Sequence, residues 1–141
     1  MSDIVARHQK QLAKMQGFLS GKGWHIAADA LEFVRSLMVG TRKDGETPEF
    51  HHQLSIAKLV RTLTPHLIEP EVAMAAAFLH DLLEDYGHKY TREYLVERFG
   101  ARIAEVVWRL TKKYQGNVKP YDEYFAALAE CPSASVIKLA D

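Results

Sequence analysis

Apolar residues recur every three or four positions along most of the chain, and the alternating pattern of a half-buried strand is absent. Ile4, His8, Leu12, Met15 and Leu19 predict a first helix, closed by Gly21 and Gly23. Ile26, Ala30, Leu31, Val34 and Leu37 predict a second that ends near Gly40. The next stretch, GTRKDGETPEF, is charged and carries Gly45 and Pro48, so it reads as a loop. His52, Ile56, Leu59 and Leu63 share one face of a third helix, terminated by Pro65. EPEVAMAAAFLHDLLEDYG opens with Pro70 at a first helical position and reads as one helix to Gly87. Thr91 caps a short helix through Phe99. Ile103, Val106, Val107 and Leu110 mark another, and residues 120–130 and 133–141 two more. The pattern predicts an all-α bundle of about seven or eight short helices.

Composition narrows the function classes. The 141 residues suit one domain over residues 1–141, large enough to bury a core. Eighteen Lys and Arg balance eighteen Asp and Glu, which removes the basic bias of a general nucleic-acid binder. No nucleic-acid partner is expected. The single cysteine, Cys131, excludes an intrachain disulfide framework and a cysteine-rich zinc site, and fits a reducing cytoplasm. MSDIVARHQKQLAK has no signal-peptide core, and no apolar run approaches the roughly 20 residues that span a bilayer. The expectation is a cytoplasmic protein with no membrane partner.

FLHDLLEDYG, residues 78–87, sets polar groups inside an apolar helical stretch. On a continuous helix His80 lies under Glu84 and Asp81 under Asp85, forming two adjacent polar files. Three carboxylates crowded near a helix C-terminus repel one another unless solvent or a cation compensates. Imidazole and carboxylate ligands suit manganese, iron or zinc. An HD dipeptide alone is a weak signal, and a core-satisfied histidine with solvated acids is the plain alternative. Two further residues shift the balance. His52 lies on the apolar face of the preceding helix, and Asp141 follows Val136 and Ile137 in SVIKLAD. His52, His80, Asp81 and Asp141 thus offer two imidazoles and two carboxylates from three helices.

The order RKDGETPEFHH, FLHDLLED, RFGARIAEVVWRLTK and VIKLAD resembles the HD-type hydrolase domain of the RelA/SpoT family, from about Ala27 to the last residue. The likeness is greatest to the small alarmone hydrolases, including the metazoan SpoT homologue. It implies an HD-domain helical bundle and a manganese-dependent enzyme that removes 3′-pyrophosphate from guanosine tetra- and pentaphosphate. Fe2+, Co2+ or Zn2+ are alternative ions. By position it implies His52, His80, Asp81 and Asp141 as metal ligands and Glu84 and Asp85 as the pair that orients or activates water. Arg42 and Lys43 match the family's basic pair beside the nucleotide.

Two positions depart from that pattern. Glu49 replaces an aromatic residue and Gln53 a proline; Glu49 adds negative charge where a polyanionic nucleotide would approach. The family continues past KLAD with a basic residue and a Leu-His-Asn-like segment, so the chain reads as truncated after Asp141. No synthetase domain is present, and alarmone synthesis is not expected. The expected partner is a small phosphorylated nucleotide, and a homo-oligomer is compatible with the sequence. Competing readings are hydrolysis of another nucleotide such as NADPH, or a degenerate HD module that binds a nucleotide or a partner without turnover.

Overall fold

The computed structural model describes residues 2–141. Among them nine α-helices follow one another: α1 (Asp3–Lys22), α2 (His25–Leu37), α3 (His51–Leu63), α4 (Pro70–Leu79), α5 (Leu82–Tyr86), α6 (Arg92–Phe99), α7 (Ala101–Leu110), α8 (Tyr121–Ala129) and α9 (Pro132–Ala140). The all-α bundle expected from the periodicity is the observed architecture. None of the described helices is long and apolar enough to cross a membrane.

Helix α4 is the axis of the bundle, and its sequence explains why. PEVAMAAAFL is apolar on every side, and residues 73–79 are all buried. A helix with no polar face can only be central. Its alanines keep its surface shallow, and α2, α3, α7 and α9 all pack against it. Its N-terminal turn is anchored by two acids. Glu71 Oε2 accepts hydrogen bonds from the backbone N–H of Ile26 (3.0 Å) and Ala27 (3.4 Å), capping α2. Glu69 receives the Arg102 guanidinium from α7 and the Ser133 hydroxyl from α9. The helix that ends at the HD pair is therefore fixed at its far end to three neighbours.

Three expectations are corrected. The stretch from Pro70 to Gly87 is two helices, broken at His80 and Asp81. At Asp81 φ is −95° and ψ is −1°, a conformation that tilts the chain out of the α4 ladder. Only a bond from Asp85 N–H to Asp81 O (2.9 Å) keeps the helical register across the break. Strand pairing exists after all: β1 (Lys113–Tyr114) pairs antiparallel with β2 (Asn117–Val118). Gln115 (φ 51°) and Gly116 (φ 83°) turn the hairpin in the left-handed region that two-residue loops require. On α3 the buried face is Gln53, Leu54, Ile56, Ala57 and Val60, while Leu59 and Leu63 are exposed.

Candidate metal centre

The centre gathers where α3 crosses the end of α4 and the end of α9. His80 continues directly from the buried α4, so its side chain is enclosed, with 3% exposed. Its Nδ1 is 2.7 Å from the Ala77 carbonyl. A carbonyl can only accept, so Nδ1 carries the proton and Nε2 is the free end of the ring. That Nε2 faces Asp81 Oδ2 at 3.1 Å and Asp141 Oδ2 at 3.7 Å. It is buried and makes no aligned hydrogen bond. His52 comes from the first turn of α3. Its Nε2 lies 3.1 Å from Asp141 Oδ1 and 3.6 Å from Asp81 Oδ2. The two imidazoles stand 5.4 Å apart between centroids.

Donor atoms of His52, His80 and Asp81 all lie within 4.8 Å of one another. Asp141, at the C-cap of α9, reaches both histidines. A neutral Nε2 lone pair pointing at two carboxylates is repulsive, and either a proton on Nε2 or a divalent cation between them reverses the sign. Two nitrogens and two carboxylates, with no thiolate, fit an ion of the manganese, iron, cobalt or zinc type.

The electrostatics follow from this enclosure. Burial opposes charging of His80, but Asp81 and Asp141 outweigh it and raise its pKa. Burial likewise opposes ionisation of Asp81, while His80 and His52 beside it hold its carboxyl below the ordinary range. Gln53, 3% exposed, donates from Nε2 to Asp81 Oδ2 at 3.1 Å and fixes that carboxylate from the α3 side. Asp85 is pushed up to about 6, by burial first and then by the charges of Asp81, Glu84 and Glu49.

Two small clefts open on either side. One, of about 140 Å³, is lined by His52, Gln53, Asp81, Asp85, Arg42 and Glu49, among others. The other, of about 110 Å³, is lined by His80, Asp81, Asp141, Glu84, Tyr124 and Lys138, among others. The two polar files expected from the sequence face different clefts: Glu84 lines the second with His80, and Asp85 lines the first with Asp81. Glu84 Oε1 accepts from the backbone N–H of Lys112 (2.5 Å) and Lys113 (3.3 Å), holding the hairpin against α5. Arg42 joins Asp85 at the first cleft, but Lys43 lines only the outer surface of its own loop with Thr41, Arg42 and Asp44. Glu49 is engaged by the Tyr86 hydroxyl at 2.9 Å.

Several neighbours of the centre are not evident from motif spacing. Gln53 stands beside His52 as an apparent departure, and only the fold shows it bonded to Asp81. Lys138 lies one helical turn before Asp141, so the i, i+3 rule places it on the same face. His8 and His51 approach each other at 3.3 Å between Nδ1 atoms.

A family model described as HD domain matches residues 30–118, a span that holds His52, His80, Asp81, Glu84 and Asp85 but not Asp141. The chain is also similar to two enzymes named guanosine-3′,5′-bis(diphosphate) 3′-pyrophosphohydrolase. The one from Haemophilus influenzae is 33% identical over 108 residues, covering 71% of this chain and 15% of the relative. The one from Aquifex aeolicus is 38% identical over 106 residues, covering 71% of this chain and 14% of the relative. The chain therefore corresponds to a small part of the length of these relatives.

Proposed function

The chain belongs to the HD-domain family, and from that membership we propose that it is a metal-dependent phosphohydrolase acting on guanosine tetra- and pentaphosphate at the 3′-pyrophosphate. The observation that carries the reading is the buried His80 Nε2, held with its lone pair toward Asp81 and Asp141 and within reach of His52. The activity for which both relatives are named supports the substrate.

In this reading His52, His80, Asp81 and Asp141 hold the ion, with manganese the favoured metal. Such an ion makes water nucleophilic near neutral pH and offsets charge on phosphoryl oxygens. The protein's own groups do the rest. The Ala77 carbonyl fixes the His80 tautomer, and Gln53 fixes the Asp81 carboxylate. Asp85, with its pKa raised to about 6, accepts a proton at neutral pH and is a stronger base than an ordinary aspartate. Arg42 attracts phosphate at the mouth of the same cleft. Glu84 positions the Lys112–Lys113 segment, while Lys43, on the outer surface of its loop, lines neither cleft of the centre. A cytoplasmic setting accompanies a small nucleotide substrate.

One observation favours a different phosphorylated nucleotide, such as NADPH: Glu49 brings a carboxylate into the cleft that Arg42 and Asp85 share. Incubating the pure protein with manganese and each nucleotide distinguishes the two. Guanosine tetraphosphate is expected to yield guanosine diphosphate and pyrophosphate, and Asp81→Ala to abolish that yield. Turnover of neither nucleotide by manganese-loaded protein would overturn the proposal.

A further inference from the structure

The cations of this protein are unevenly paired. Arg35, Arg92, Arg98, Arg102 and Arg109 each have a carboxylate partner. Arg7, Arg42 and Arg61 have none among the described residues, and all three line clefts. Arg42 belongs to the metal centre. Arg7 and Arg61 belong to a groove of about 210 Å³ between α1 and α3, which shares no lining residue with the two clefts beside the HD and ED pairs. Lys10 and Lys14 join Arg7 on the α1 wall, and Lys58 joins Arg61 on the α3 wall. No carboxylate lines it. This concentration is not a by-product of general basicity, because the chain as a whole is neutral. Helices α1 and α3 carry Asp3 as their only acid.

The groove is built as well as charged. Its floor is Met15 and Leu54, exposed by 2% and 1%. Arg61 is held over the Phe18 ring at 4.2 Å, which orients its guanidinium before any ligand arrives. Cations gathered over an apolar floor repel one another, and an anion relieves that repulsion. Arg and Lys on facing walls match phosphate oxygens, the arginine fork in two-point contacts and lysine as a point charge.

We propose that the α1–α3 groove binds a compact polyphosphate anion of two or three linked phosphates, at a site separate from the metal centre. Arg7 to Lys14 spans only about 10 Å of helix. Sites for single-stranded nucleic acid follow the backbone further and offer aromatic rings for base stacking. No aromatic side chain lines this groove. Arg7 also lines the adjoining cleft of about 320 Å³ with His8, His51 and Arg42. A bound anion therefore lies one cleft away from the Arg42 side of the centre.

The test is calorimetric titration of sodium tripolyphosphate into the full chain in buffer containing a chelator, so that divalent ions play no part. Saturable binding is expected, weakened about tenfold or more in the double variant K14E/K58E. Asp81→Ala is expected to bind as the parent does. Lys14 and Lys58 are exposed, so the double variant is expected to keep its melting temperature; Lys10→Gln provides a milder reduction if it does not. The proposal is overturned by no saturable binding, or by equal affinity in K14E/K58E with the fold intact. Loss of binding in Asp81→Ala would place the anion at the metal centre and also overturn it. Tighter binding of a single-stranded oligonucleotide or a polyglutamate peptide than of tripolyphosphate would replace the proposed ligand class. None of these outcomes depends on nucleotide turnover.

Discussion

Replacing Gln53 by leucine removes one hydrogen bond from the metal centre while nearly preserving the volume of a side chain that is 3% exposed. The lost bond runs from Gln53 Nε2 to Asp81 Oδ2 at 3.1 Å. That same oxygen lies 3.1 Å from His80 Nε2 and 3.6 Å from His52 Nε2, so its position sets the geometry of three donors. A hydrogen bond to a charged acceptor contributes about 1.5–3 kcal/mol, and about 1.4 kcal/mol is a factor of ten. Loss of the groups that orient a ligand typically weakens metal binding by about 10–100-fold, the same range. Gln53→Leu should therefore weaken manganese binding by that amount in calorimetric titration. The apolar leucine offsets part of the lost bond in the metal-free fold, so its Tm should change little. An affinity within about threefold of the parent would refute the reasoning. It would show that the backbone and histidines hold Asp81 without Gln53.

Asp85→Asn should lower nucleotide turnover by about 10²–10⁴-fold with manganese affinity largely kept, as removal of a general base does; equal loss of metal and activity would place Asp85 among the ligands. Arg42→Ala should raise KM for the nucleotide more than it lowers kcat, measured by steady-state kinetics. Phe78, fully buried and stacked on Phe50, should cost about 3–5 kcal/mol when replaced by alanine, read from denaturant midpoints. The Asp44 carboxylate, held at about 2 by the Thr47 hydroxyl and the Glu46 and Thr47 amides, orders the loop that carries Arg42. Because its pKa is depressed, this ordering is complete above the ordinary value of 3.8 and is lost as pH falls through about 2. Amide exchange at Glu46 and Thr47 should rise in that window, and Asp44→Ala should show the raised exchange at neutral pH.

Helical periodicity exposed most of the fold because nearly every element buries one apolar stripe. It failed where tertiary context decides. Leu59 and Leu63 continue the stripe of His52 and Ile56, yet α3 buries Leu54, Ala57 and Val60 instead, leaving those leucines in solvent. The break after Leu79 is invisible in a run of good helix formers, since it lies in the backbone angles at Asp81. The hairpin is too short to show alternation, and its turn uses Gln115 in a conformation more often taken by asparagine or glycine. At the site, spacing suggested the grouping of His52, His80, Asp81 and Asp141, because all four follow apolar helical faces. The separation of Glu84 from Asp85 was legible too, since i, i+4 spacing puts the first in the file of His80 and the second in the file of Asp81, and each file lines its own cleft. Gln53 carried no signal, as a buried amide is read only from the carboxylate it meets.

The four candidate ligands come from the start of α3, the end of α4 and the end of α9, regions far apart along the chain. An ion joining them would act as a clasp, fastening the terminal helix to the middle of the sequence without a covalent bond. Anything that binds the folded state alone raises its stability, by about 2.7 kcal/mol at a hundredfold excess over Kd. Occupancy of the centre and attachment of α9 are then one equilibrium, and heat resistance becomes a readout of which ion the protein prefers.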